Sequence, residues 1–194
     1  RAEILQALTN ILYIKIPGTK ECLPAIEEAI FAGIPINVTL LFSHEQYLAA
    51  ADAFLRGIER RIEAGLNPVV ASVASLFISR WDAAVAAKVP ASLHNQLGIA
   101  IAKRTYSAYR GLLASIRWQR AFNSGARPQR LLWASTGTKD PKASDVLYIK
   151  TLAAPFTVNT MPEATLKALA DHGQLDTSLP ADGGDCEWIL AEFA

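Results

Sequence analysis

"YIKIPGTKECLPAIEEAIFAGIPINVTLLFS" (residues 13–43) reads as one strand–helix–strand unit. The apolar run at 11–16 contains Ile11, Leu12, Ile14 and Ile16, and Pro17-Gly18 punctuates it as a turn. In "LPAIEEAIFAG", Leu23, Ile26, Ala29 and Ile30 recur at helical spacing, with Gly33 as the stop. "INVTLLF" (36–42) returns to β-branched and aromatic residues. One feature is out of place: Lys15 puts an ammonium in the middle of an apolar strand.

The same alternation continues outward. Ser43, with Gln46 three residues on, reads as a capping box opening a long helix. Tyr47, Leu48, Ala51, Phe54, Leu55, Ile58 and Ile62 form its apolar stripe, while Arg56, Glu59 and Arg60 face water and Gly65 closes it. A third apolar run, "VVASVASLFI" (69–78), is followed by helical "SRWDAAVAAKV" and "NQLGIAIAKRTYSAYRGLLASIRWQRAF". A fourth, "LLWAST" (131–136), precedes a short helix around 144–152. A fifth, "FTVNTM" (156–161), precedes "PEATLKALADHG", with Pro162 in its first turn, and a helical 184–193.

Strands that alternate with helices and are apolar on both faces argue for a parallel sheet covered by helices. Five such units fit an open flavodoxin-like sheet or part of a (β/α)8 TIM barrel, whose whole form needs about 250 residues. Lys15, Asn37, Thr39, Ser75 and Ser135 all fall within the expected strands. An open doubly wound sheet takes its ligand outside the strand ends, whereas a barrel aims inward side chains from several strands at one point. The expectation is therefore α/β: an incomplete TIM barrel of five parallel strands, one domain over 1–194, trimmed at both ends.

Composition narrows the function classes. Nineteen Lys and Arg against eighteen Asp and Glu leave no basic field for nucleic acid and no acidic tail. No apolar stretch is long enough to span a bilayer, and no charged leader with an apolar core opens the chain, so a cytoplasmic protein without a membrane partner is expected. Cys22 and Cys186 lie far apart without metal-ligand spacing, and His44, His94 and His172 share none, so no metal site is expected.

The candidate chemistry begins at Lys15. Buried on a barrel strand, a lysine is desolvated toward its neutral amine, a nucleophile that forms a Schiff base with a ketone. The alternative is a lysine at the strand's end that snorkels to water. Asn37 and Thr39, two apart on one strand, point to the same side, to orient substrate hydroxyls or a water, or simply to satisfy each other in the sheet. Ser75 and Phe77 repeat that spacing. Arg80 follows the third strand, where its fork of donors suits phosphate, or pairs at the surface with Asp82 or another helix-start acid. "STGTK" (135–139) ends the fourth strand without the P-loop spacing but offers backbone donors and Lys139 to an anion.

Taken together these residues resemble the transaldolase family. "YIKIPGTKECLPAIEEAIFAGIPINVTLLFS" is similar to its Schiff-base lysine region and next strand; "SVASLFISRWD" and "RLLWASTGTKDPKASDVLYI…VNTMPEATL" are similar to later strands. The likeness is nearest to longer bacterial members, some fused to a glucose-6-phosphate isomerase. It implies Lys15 as the Schiff-base lysine, and Asn37 and Thr39 as holders of substrate hydroxyls and a catalytic water. It implies Ser75, Phe77 and Ser135 as substrate-lining residues, Arg80 as a phosphate ligand, and Lys139 as a second phosphate-binding cation. The implied reaction moves a three-carbon ketol unit from sedoheptulose 7-phosphate to glyceraldehyde 3-phosphate, giving erythrose 4-phosphate and fructose 6-phosphate. It lies in the pentose phosphate pathway and needs no cofactor; a homodimer is left open. The chain departs from the family in carrying only strands four to eight. The acidic pair used there for proton transfer matches no Asp or Glu here, Glu3, Glu21 and Glu27 included. This chain alone is thus expected to be weak or inactive. A fructose-6-phosphate aldolase-like activity and a non-catalytic fragment needing its N-terminal complement are the alternatives.

Overall fold

The structure, a computed structural model, describes residues 12–175 and 177–194. In chain order it contains β1 (Ile14–Pro17), α1 (Leu23–Phe31), β2 (Ile36–Leu41), α2 (His44–Glu63), β3 (Ser72–Phe77), α3 (Ser79–Val85), α4 (Leu97–Ala114), α5 (Ile116–Asn123), β4 (Arg130–Ala134), α6 (Leu147–Thr151), β5 (Thr157–Asn159), α7 (Glu163–His172) and α8 (Cys186–Ala191). The strands form one five-stranded sheet in the order β1-β2-β3-β4-β5. Chain-order strands joined through helices are the pattern of an incomplete α/β barrel, as expected.

The expected boundaries move in places. Ile11 lies outside the described residues, and β1 starts at Ile14. The fourth run pairs only to Ala134, so Ser135 stands one residue beyond its strand instead of within it. Ser135 adopts φ 57°, a left-handed conformation incompatible with extended pairing. The long helical stretch divides at Ser115, whose Oγ accepts from the Trp118 amide and caps α5. Pro162 sits at the N-cap of α7, one place before its first turn.

The chain forms two compact units. The first runs to Leu41 and includes Glu45–Ser75 and Gly111–Arg130. In it β1 pairs parallel with β2, with Lys15 opposite Asn37 and Pro17 opposite Thr39. Ile26 and Ile30 form the buried face of α1. Tyr47, Ala50, Ala51, Phe54, Leu55 and Ile58 form that of α2, whereas Leu48, expected in the stripe, is 39% exposed. Gly57 lets α1 and α2 approach, since a Cβ there would lie 2.7 Å from Ile30. Arg56 and Arg60, expected to face water, are 41% and 35% exposed and also bond Glu27 of α1. Arg117 of α5 bonds Glu59 and Asp52 of α2.

The second unit comprises Phe42–His44, Leu76–Arg110 and Leu131–Ala194. Its β4 pairs parallel with β5 through Leu131, Leu132 and Trp133. The Trp133 indole, 1% exposed, donates to the Leu152 carbonyl at 2.9 Å. Cys186 and Ile189 of α8 pack on Ala100 of α4, flanked by the Lys103–Asp185 and Arg104–Glu187 ion pairs. Among the described residues no helix is long and apolar enough to cross a membrane.

Candidate active site

In the first unit the site grows from the register of β1 on β2. Residues paired across parallel strands project to the same face, so Lys15 and Asn37 stand side by side, and Thr39 follows two residues along. Ile36 and Val38, which alternate with Asn37 and Thr39 along β2, are fully buried on the opposite face. Ser75 of β3 donates its hydroxyl proton to Asn37 Oδ1 at 2.7 Å. That bond fixes the amide and leaves Asn37 Nδ2 as a donor. Lys15, Asn37 and Ser75 therefore make a row across three strands, with Thr39 above it. The Gly18 amide, bonding the Thr39 carbonyl at 2.8 Å, ties the ends of β1 and β2 together.

One expectation is corrected here. Lys15 is exposed, not buried inside a strand. β1 stands at one end of the strand order, so among the described residues no strand covers its outer side.

The second unit holds Phe77, Arg80, Ser135 and Lys139. Arg80, exposed in the first turn of α3, lays its guanidinium 4.8 Å from the Phe77 ring centroid. Phe77 in turn packs on Phe42 at 5.4 Å, and Trp81 meets Phe42 edge-on while its indole donates to the Phe42 carbonyl. This aromatic platform presents a cation with no ion-pair partner among the described residues. Asp82, the alternative partner for Arg80, is instead 4% exposed and accepts from the Gly98 amide at 3.0 Å and the Tyr148 hydroxyl at 2.7 Å. Burial pushes the Asp82 carboxyl above its ordinary range, against the pull of those donors and of the Leu97 amide. Burial and the neighbouring carboxylate push the Tyr148 phenol up as well, keeping it a donor.

Ser135 Oγ lies 3.0 Å from Ser79 Oγ, and the Ser79 amide donates to the Ser135 carbonyl at 3.1 Å. Lys139 lines a cavity of about 380 Å³ with Asp82, His94, Asn95 and Asp140. Neither Arg80 nor Ser135 lines that cavity. Ser79 carries no motif of its own, and Thr136, inside "STGTK", bonds Asn159 at 2.8 Å. Among the described residues no cluster of His, Cys, Asp or Glu could hold a metal ion.

A sheet threaded in chain order through α-helices, with a lysine, an amide and hydroxyls along one face, defines a β/α-barrel protein. The chain belongs to the transaldolase/fructose-6-phosphate aldolase family, whose sequence profile matches residues 1–192. It is 49% identical to a transaldolase of Frankia alni over 172 residues, covering 84% of this chain and 46% of that protein. It is 47% identical to a transaldolase of Parafrankia sp. over 192 residues, covering 94% and 52%, and 46% identical to transaldolase 2 of Nostoc punctiforme over 189 residues, covering 88% and 49%. The chain spans about half the length of the curated relatives it matches.

Proposed function

We propose that the whole protein is a transaldolase of the pentose phosphate pathway, working in the cytoplasm without a cofactor. The observation that carries this reading is the row of Lys15, Asn37 and Ser75 across three neighbouring strands, in a chain whose relatives bear that name. Lys15 Nζ, as the free amine, adds to the ketone carbon of sedoheptulose 7-phosphate, and loss of water gives an iminium. The iminium, at C2, takes up the electron pair released when the C3–C4 bond breaks as the C4 hydroxyl gives up its proton and becomes the aldehyde of the leaving sugar. Erythrose 4-phosphate leaves, and the three-carbon unit stays on Lys15. That unit then attacks the aldehyde carbon of glyceraldehyde 3-phosphate, and hydrolysis frees fructose 6-phosphate and Lys15. Asn37 Nδ2 and the Thr39 hydroxyl hold substrate hydroxyls and the water. Ser75, Phe77 and Ser135 line the sugar, Arg80 binds phosphate from its aromatic platform, and Lys139 serves as a second phosphate-binding cation.

Proton transfer, typically worth 10²–10⁴-fold, falls to acids outside this chain. With Lys15 exposed, the isolated chain is expected to form its imine slowly. The test is borohydride trapping: incubate with fructose 6-phosphate, reduce, digest and weigh the Lys15 peptide. A three-carbon adduct absent from Lys15→Ala supports the reading, and an unmodified Lys15 peptide overturns it for this chain. The family description also covers fructose-6-phosphate aldolase, and product analysis with and without an acceptor aldehyde separates the two. The exposure of Lys15 favours one further reading, a piece that is catalytic only when more strands cover β1. Size exclusion and melting of the isolated chain test it, because an independent domain melts cooperatively.

A further inference from the structure

Leu40 is the one residue of β2 whose backbone is left-handed, with φ 59°. A bulky side chain rarely adopts that region, which glycine and asparagine occupy at much less cost. The turn breaks the strand's alternation. Leu41 takes the core side in place of Leu40, is fully buried, and packs so closely on Gly18 that a Cβ there would lie 2.2 Å from Leu41 Cδ2. Leu40 is left outside the core, 40% exposed, one residue past Thr39. The close core contact belongs to Leu41. Strained residues held in place by their surroundings cluster where a side chain has work to do.

We propose that Leu40 is a specificity-determining contact of the Lys15 site, giving an apolar surface to the carbon chain of a sugar phosphate bound there. The inference rests on the reading of Lys15 as the Schiff-base lysine. Along β1 and β2 the row behind it is polar: Lys15, Asn37 and Thr39 address hydroxyls and the carbonyl, and none of the three offers an apolar face. Leu40 lies three residues beyond the level of Lys15, about 10 Å along the strands. That distance suits the far carbons of a six- or seven-carbon sugar and lies beyond a three-carbon ketone attached to Lys15.

The experiment follows Lys15 adduct formation from fructose 6-phosphate and from dihydroxyacetone in the wild-type chain and in Leu40→Ala, Leu40→Gly and Leu40→Asn, with melting of each. The expected result is that all three variants form the fructose 6-phosphate adduct about tenfold more slowly, as loss of a leucine contact dictates, while the dihydroxyacetone adduct is unchanged. Leu40→Gly and Leu40→Asn should also melt above Leu40→Ala, reversing the usual order for a strand. Equal loss with both ketones would mean general disruption and overturn the proposal. So would unchanged rates in Leu40→Ala, or a loss confined to Leu40→Gly and Leu40→Asn, which would make the backbone the active element. A wild-type chain with no adduct from either ketone overturns the Lys15 reading itself, a result none of the others resembles.

Discussion

Ser75 and Asn37 share one hydrogen bond, Ser75 Oγ donating to Asn37 Oδ1 at 2.7 Å, which joins β3 to the polar face of β2. It decides which way the Asn37 amide points. Ser75→Ala should leave Asn37 Oδ1 without its donor, lower stability by about 1 kcal/mol and slow Lys15 trapping severalfold. Melting and the borohydride assay on the same preparation check both, and trapping at the wild-type rate would show that the amide's orientation is set elsewhere.

The fold was legible because its signals are local. Ile26 and Ile30 at helical spacing, and β-branched 36–41 after Gly33, report their own burial. The residues that misled are those whose environment comes from distant chain. Lys15 reads as buried because its sequence neighbours are apolar, yet Ile14 beside it is 54% exposed on the same edge strand. Whether a strand stands at an edge is a property of the sheet and not of the strand. Arg56 and Arg60 read as solvated because helix periodicity cannot see Glu27 on another element. For the site, Lys15, Asn37 and Ser75 could be named by residue type and spacing, but Asp82 could not. Its partners Gly98 and Tyr148 lie 16 and 66 residues away.

Arg117 grips Glu59 with both Nε and Nη2, at 2.6 and 2.7 Å, and reaches Asp52 with Nη1 at 2.5 Å. These bonds hold its guanidinium well above the ordinary arginine range. The side chain is 43% exposed, so water screens the network. Arg117→Met should cost no more than about 1 kcal/mol at low salt. The difference should nearly vanish in 1 M salt, where the Debye length falls to about 3 Å. Denaturant titrations at two salt concentrations measure it, and a salt-independent loss would assign the effect to packing of the arginine stem.

Two glycines of α4 should respond oppositely to the same change. A Cβ at Gly98 would lie 2.6 Å from the Ile78 carbonyl and 2.8 Å from Asp82 Oδ2, and backbone cannot yield as a side chain does. Gly98→Ala should destabilise by about 1–3 kcal/mol. A Cβ at Gly111 meets nothing within 4 Å, so Gly111→Ala should stabilise by about 0.5–1 kcal/mol through helix propensity. Loss of stability in both variants would contradict the close approach of α3 to α4 as the cause.

Asp82 makes stability depend on pH in the direction opposite to a salt-bridged carboxylate. Its folded-state pKa is raised, chiefly by burial, so between its unfolded and folded values the native state binds the extra proton. Stability therefore falls as pH rises through that window, from about pH 4 upward, and the penalty stays in place above it. Asp82→Asn removes the titration while keeping an acceptor for the Gly98 amide and a donor toward Tyr148. At the acid end of the window the protonated wild type should match or exceed the variant, because the carboxyl can still accept from the Tyr148 hydroxyl. As pH rises toward 7 the wild type should lose ground steadily against Asp82→Asn. Melting both proteins every half unit from pH 4 to pH 8 gives the difference directly. A gap that does not change across that range would mean that the donors of Gly98, Leu97 and Tyr148 offset the whole cost of burying the charge.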